Sequence, residues 1–192
     1  MRIGVLASQG AFAEHIAILH QLEVVALPVR LLRELTGLDG LIIPGGESTS
    51  IGQLMQDYNL TNEIKNMAEN GLPIFGTCAG MILLARFVTS GLDIKPLGVM
   101  DITVRRNAFG RQKDSFETDI SIPALGEKPF PAVFIRAPVI EQAANGVEIL
   151  AKLADGTSVA AKQGKLLASA FHPELTTDRR FHQYFLNIAA GH

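Results

Sequence analysis

Over the first 87 residues, short apolar runs alternate with segments whose apolar residues recur at helical spacing, and this alternation narrows the possible folds sharply. Arg2–Ala7 reads as a buried strand that stops at Gln9-Gly10. Ala11–Leu22 follows as a helix with Phe12, His15, Ile16, Leu19 and Leu22 on one face. Val24–Val29 and Gly40–Ile43 read as further strands, the latter ending at Pro44-Gly45-Gly46. Ser48 or Thr49 is placed to cap the next helix and Thr61 another. Pro73–Gly76 reads as a fourth strand, followed by Thr77-Cys78-Ala79-Gly80 and the apolar run Met81–Phe87. Strands that alternate with helices make βαβ units, hence a parallel sheet with helices on both faces.

The second half changes character. Val99–Arg105, Ser115–Ile122, Ala132–Arg136, Val147–Leu153, Ser158–Lys162 and Leu166–Phe171 read as strands in close succession, with tight turns at Asp155-Gly156 and Gln163-Gly164. A last helix over about Asp178–Ala189 carries Phe181, Tyr184, Phe185 and Ile188. The expectation is an α/β fold, mostly parallel, with a small antiparallel element in the second half. At 192 residues with no linker or repeat, residues 1–192 read as a single domain.

Charge and cysteine content exclude several function classes. Seventeen Lys and Arg against 19 Asp and Glu leave a net charge of −2 with no basic run, which argues against nucleic acid or a membrane surface as partner. No stretch approaches the roughly 18–20 apolar residues of a membrane span. Cys78 is the only cysteine, so neither an internal disulfide nor a multi-cysteine zinc site is open to the chain, and a reducing, cytosolic setting is expected.

That cysteine sits in Gly76-Thr77-Cys78-Ala79-Gly80, the thiol counterpart of the G-x-S-x-G elbow, between a predicted strand and a predicted helix. A sharp strand-to-helix turn presents the sulfur, and small neighbours keep it clear. A helix N-terminus favours the thiolate, and the Ala79 amide is placed to bind an oxyanion. A thiolate needs a base, and the base an orienting group. His15 and His20 fall on a predicted helix and read as structural or solvated; His182 lies on the last helix and His192 is the final residue. His172 differs, because it opens His172-Pro173-Glu174 after a strand. In an extended segment residues i and i+2 point the same way, so Glu174 is expected to bond one imidazole nitrogen while the other faces Cys78. Pro44–Thr49, also at a strand end, is expected beside the elbow, and Arg105, Arg106, Arg111 and Arg136 are candidate carboxylate partners.

With these residues assembled, the chain resembles the class I, triad-type glutamine amidotransferases, which have a flavodoxin-like fold, and within them the glutaminase subunits of pyridoxal 5′-phosphate synthase. The elbow and His-x-Glu belong to the whole class. Pro-Gly-Gly-Glu-Ser-Thr (44–49), the string from Arg106 to Gln112 and Phe-Ile-Arg-Ala-Pro (134–138) are particular to these subunits. Ala7-Ser8 and Ala170 depart from the more usual residues. The resemblance implies Cys78 as nucleophile, His172 as base and acid and Glu174 as orienting carboxylate. It implies oxyanion donors at Gly46 and Ala79, and glutamine contacts at Gly46, Glu47, Ser48, Arg106, Ile135 and Arg136. It also implies ammonia delivery to a separate synthase subunit, with no cofactor and no metal. Two alternatives share the elbow: a cysteine peptidase or deglycase of related fold, and a regulatory subunit that binds glutamine without turnover.

Overall fold

The computed structural model describes residues 1–89, 91, 95–110 and 115–192. Strands β1 (Arg2–Leu6), β2 (Val25–Val29), β3 (Gly40–Ile43) and β4 (Ile74–Thr77) lie parallel in the order β2-β1-β3-β4. Helix α1 (Phe12–Gln21) links the first two strands. Helices α2 (Ser48–Asp57) and α3 (Leu60–Glu69) lie between β3 and β4. Gly40, Leu41, Ile42 and Ile43 of β3 are all buried, as are the four residues of β4; continuous burial is what a parallel strand covered on both faces requires.

The two faces can be read from adjacent residues of β4. Phe75 packs on Phe181 and Phe185, at ring-centroid distances of 5.4 and 5.6 Å, and these belong to the last helix, α5 (Arg180–Ala190). Gly76, pointing the opposite way, lies against helix α4 (Ala79–Leu84). His15 of α1 meets Phe75 edge-on and lies beside His182 of α5, so α1 and α5 share a face.

The sheet continues with strands from the second half. β12 (Leu166–Ser169) adds parallel to β4, and β11 (Ser158–Gln163) pairs antiparallel with β12. Beyond it come β9 (Val139–Ala143), β6 (Met100–Arg105) and β5 (Ala85–Val88), while β10 (Glu148–Lys152) branches from β11. A separate antiparallel pair, β7 (Ser115–Ile120) with β8 (Phe130–Ile135), forms the small second sheet. Aromatic rings bind it to the main core: Phe116 stacks on Phe134 at 4.6 Å and 8°, Phe134 meets Phe171 edge-on, and Phe171 meets Phe181 edge-on. Each such pair contributes about 0.5–1.5 kcal/mol beyond area burial.

Four local expectations need correction. Neither Ser48 nor Thr49 caps α2. Glu47 does, its carboxylate accepting from the amides of Thr49 at 3.0 Å and Ser50 at 2.6 Å, which also suits a helix N-terminus electrostatically. Thr61 is the second residue of α3, not its cap, because Asn59 turns the chain in a left-handed conformation (φ 58°) and the helix opens at Leu60. The apolar run 81–87 does not stay helical: α4 ends at Leu84 and the chain passes directly into β5. Strand β9 is an addition to the expected set, since Val139–Ala143 is apolar for only its first two residues before turning polar.

Candidate active site

The site lies where β3, β4 and β12 end. Cys78 joins β4 to α4 with φ 49° and ψ −100°, a backbone conformation that a residue with a side chain reaches only under constraint. Its amide donates to the Ser169 carbonyl at 2.7 Å, and its own carbonyl accepts from Ile82 in the first turn of α4. The flanking glycines allow the close approach. A Cβ on Gly76 would meet the Gly80 carbonyl at 2.6 Å, and one on Gly80 would collide with the carbonyl oxygen of Ile43. The elbow therefore fits because two strands and a helix meet there with only hydrogens between them.

His172 follows β12, with its amide bonded to the Val133 carbonyl at 2.8 Å. Its Nδ1 lies 2.7 Å from Glu174 Oε1. The pairing is as expected but its cause is not: residues Pro173–Leu175 form a single 3₁₀ turn, so a tight turn rather than an extended segment brings the two side chains together. The imidazole shares the wall of one cavity with Cys78, whose sulfur is close enough to act on the charge of the ring. Burial drives the imidazole pKa down, but the hydrogen bonds and charges of Cys78 and Glu174 outweigh it and push it up to about 10. Burial raises the Glu174 carboxyl, and the neighbouring imidazoles of His15 and His172 outweigh that and hold it below the usual range. With α4 only six residues long, the imidazolium is the stronger positive neighbour of the sulfur.

A cavity of about 170 Å³ opens on the thiol, lined by Gly46, Glu47, Ser48, Cys78, Ile82, Arg106, Asn107, Ile135, Arg136 and His172. All six residues expected to contact glutamine are in that lining. Larger hollows of about 310 and 810 Å³ lie elsewhere on the surface, and no cysteine or histidine lines either. Ile135 and Arg136 reach the mouth from the end of β8, and the Ile135 carbonyl lies 3.9 Å from the Cys78 sulfur. The Gly45 backbone lies so close to the imidazole that a Cβ there would collide with His172 Cε1. Ala79 opens α4, where an N–H has no partner within the helix, but is not among the residues that line the cavity.

The arginines divide. Arg106 lines the cavity, reaching Glu47 Oε1 at 3.3 Å and the Gly91 carbonyl at 3.0 Å. Arg105 pairs instead with Glu141 at 2.6 Å on the neighbouring strand. Arg111 and Gln112 lie outside the described residues. The Glu47 carboxylate is taken up by capping α2 and by Arg106, so that side chain shapes the pocket wall. Gln9, read from sequence only as a strand stop, accepts from the Glu47 amide at 3.3 Å through its side-chain oxygen, and Ala11 N–H donates to the Gly45 carbonyl; this turn fastens the glycine loop. Among the described residues no group of three or more His, Cys, Asp or Glu side chains is arranged to hold a metal ion, and no helix is long and apolar enough to cross a membrane.

Of the two readings left open for His15, structural or solvated, the structure takes the first. The residue is fully buried, with Nε2 3.4 Å from Glu174 Oε2 and 3.2 Å from Thr77 Oγ1, and Nδ1 2.9 Å from His182 Nε2. Its place on the apolar face of α1, among Phe12, Ile16 and Leu19, is the signal in the sequence: an imidazole buried there needs polar partners.

A cysteine elbow with an imidazole and a carboxylate behind it, at the strand ends of an α/β sheet, gives fold and site the character of a glutamine amidotransferase. The chain belongs to the SNO glutamine amidotransferase family, whose model matches residues 5–190. As a member it is a glutaminase, an amide hydrolase acting on the glutamine side chain. It is 58% identical to a protein of Herpetosiphon aurantiacus named "Pyridoxal 5'-phosphate synthase subunit PdxT", over 98% of this chain and all of that one. A protein of the same name from Moorella thermoacetica is also 58% identical, over 98% and 99% of the two chains. A solved structure titled "Crystal structure of glutamine amidotransferase" superposes with a TM-score of 0.92 at 49% identity, covering 98% of each chain. A chain of the Thermotoga maritima PurLQS structure shares the fold, with a TM-score of 0.68 at 16% identity over 97% of each chain.

Proposed function

We propose that this chain is the glutamine-hydrolysing subunit of a pyridoxal 5′-phosphate synthase, and that Cys78, His172 and Glu174 carry the hydrolysis. Relatives bearing that subunit's name at 50–58% identity support the assignment. The observation that carries the mechanism is the His172 imidazole, bonded to the Glu174 carboxylate and lining, with the Cys78 sulfur, a cavity of amino-acid size.

In this reading the Cys78 thiolate attacks the side-chain amide carbon of L-glutamine. Backbone N–H groups of Gly46 and Ala79 receive the oxyanion, a contribution of about 10²–10³ in rate for each donor. His172, protonated by virtue of its raised pKa, gives its proton to the leaving nitrogen as the C–N bond breaks and ammonia departs. The neutral imidazole then takes a proton from water, which attacks the γ-glutamyl thioester; glutamate leaves, and the proton is left on His172 beside the regenerated thiolate. Glu174 holds the imidazole with Nδ1 directed at itself, leaving Nε2 for the reacting atoms. Arg106 and Arg136 face the substrate's α-carboxylate, and Ser48 and Ile135 complete the pocket.

The ammonia passes to the synthase subunit, sheltered from water that would protonate it to unreactive ammonium. Residues 1–192 act as one domain whose partners are L-glutamine and the synthase subunit, with no part for nucleic acid or a membrane. A reducing cytosol, which keeps the lone thiol free, is the compartment this reading requires. The test is ammonia release from glutamine by the chain mixed with its synthase subunit. Cys78→Ala is expected to abolish it while leaving the fold intact; release at the wild-type rate by that variant overturns the mechanism.

A further inference from the structure

The buried imidazoles of His15 and His182 have no part in the reaction just described, and their geometry constrains them tightly. His15 Nδ1 and His182 Nε2 face each other at 2.9 Å, so one of the two nitrogens carries the shared proton and the other must accept it. On its far side His15 Nε2 faces Glu174 Oε2 at 3.4 Å and Thr77 Oγ1 at 3.2 Å. Glu174 Oε2 is buried and, unlike Oε1, has no hydrogen-bond partner among the described residues, so His15 Nε2, at ion-pair range, is the polar group that faces it. His182 Nδ1 is likewise buried without a partner among them.

These contacts select one arrangement of protons. If His15 carried its proton on Nδ1 alone, a bare Nε2 lone pair would face the carboxylate oxygen, two acceptors opposed in a dry interior. If His15 carried protons on both nitrogens, His182 would accept at Nε2 and strand a buried Nδ1–H donor. Only a proton on Nε2 of each ring leaves no donor unmet: His182 Nε2–H donates to His15 Nδ1, and His15 Nε2–H donates to Thr77 Oγ1 while turning its positive edge toward Glu174 Oε2 at 3.4 Å. The sole orphan is then a bare acceptor, His182 Nδ1. Burial holds both rings below the ordinary histidine pKa, which agrees with one proton apiece.

We propose that His15, backed by His182, is a positioning residue for glutamine hydrolysis: its neutral Nε2–H fixes the second oxygen of Glu174, so that the first stays aimed at His172 Nδ1. The inference rests on the Cys78–His172–Glu174 reading. The fold supports it in two ways. The α1 helix packs against the 173–175 turn that carries Glu174. Thr77, which shares the His15 donor, is the residue immediately before Cys78, so a single imidazole ties the carboxylate end of the site to the nucleophile end. Without it, Glu174 has freedom to rotate about a single hydrogen bond, and a displacement of about 1 Å at the reacting groups can cost about 10²-fold.

The test has an activity arm and a spectroscopic arm, both on the full chain. With the synthase subunit present, His15→Leu is expected to lower kcat for ammonia release about 10- to 100-fold with KM changed less than about twofold, and His15→Gln, which restores an N–H donor, to recover most of the loss. An unchanged kcat in His15→Leu, a rise in KM alone, or no rescue by glutamine at position 15 overturns the proposal. Should the leucine variant fold poorly, ¹⁵N spectra of histidine-labelled wild type decide: both rings neutral near pH 7 with protons on Nε2 are expected, and a His15 proton on Nδ1, or a doubly protonated ring, overturns it. Failure of the underlying reading shows up separately, as ammonia release that survives Cys78→Ala.

Discussion

Removing the Cys78 sulfur should change the charge state of His172, and the size of the change follows from what surrounds the ring. Burial favours the neutral imidazole, while the contacts from Cys78 and Glu174 favour the charged one and prevail, holding the pKa at about 10 against an ordinary 6.5. An opposite charge within about 4–6 Å moves a pKa by about 1–3 units, equivalent to roughly 1.4–4 kcal/mol. In Cys78→Ala that contribution disappears while the burial penalty remains, so His172 is expected to titrate about 1–3 units lower. The assay is an NMR titration of the imidazole Cε1–H signals in wild type and variant, with His172 assigned by its absence from His172→Asn. Stability shifts in the same sense. A folded pKa above the unfolded one gives stabilisation that is complete below about pH 6.5 and lost as the pH rises through about 10. In the variant that stabilisation is smaller and its loss is complete at a lower pH. An unchanged His172 titration would refute the reasoning, because the sulfur would then not be the ring's charged partner.

Two further outcomes follow from named contacts. Gly80→Ala places a methyl group against the Ile43 carbonyl, and is expected to destabilise the fold by about 1–3 kcal/mol; an unaltered urea midpoint would contradict the packing described for the elbow. Glu174→Gln removes a carboxylate whose folded pKa is depressed, so its stabilisation is present above the unfolded value of 4.5 and lost as pH falls through the lower folded one; the stability gap between variant and wild type should narrow on acidification below pH 4.5, and a gap independent of pH in urea titrations would contradict it.

The parallel half of the fold was legible because its signals are local. The apolar runs of β1, β3 and β4 are bounded by Gly, Pro and Ser residues, and Gly76-Thr77-Cys78-Ala79-Gly80 carries in its own residue types the requirement for a tight strand-to-helix turn. Where local pattern misled, a neighbour decided. Residues Met81–Ala85 are all apolar, so periodicity could not separate helix from strand, and the switch at Ala85 comes from pairing of β5 with β6. Glu47 outcompeted Ser48 and Thr49 as a cap because its carboxylate reaches forward to the amides of Thr49 and Ser50 at once.

Sequence alone determined the chemical inventory: one thiol, a His-Pro-Glu tripeptide, a glycine-rich loop and arginines able to bind a carboxylate, on an α/β framework. Which members of that inventory meet was decided by tertiary structure. His172 lies 94 positions from Cys78 and comes to it because β12 pairs beside β4; His15 and His182 arrive from opposite ends of the chain because α1 and α5 cover the same sheet face. A sequence specifies each segment's periodicity and side chains, but contacts between segments far apart depend on strand order and on which face a helix covers, and these are settled only when the whole core packs.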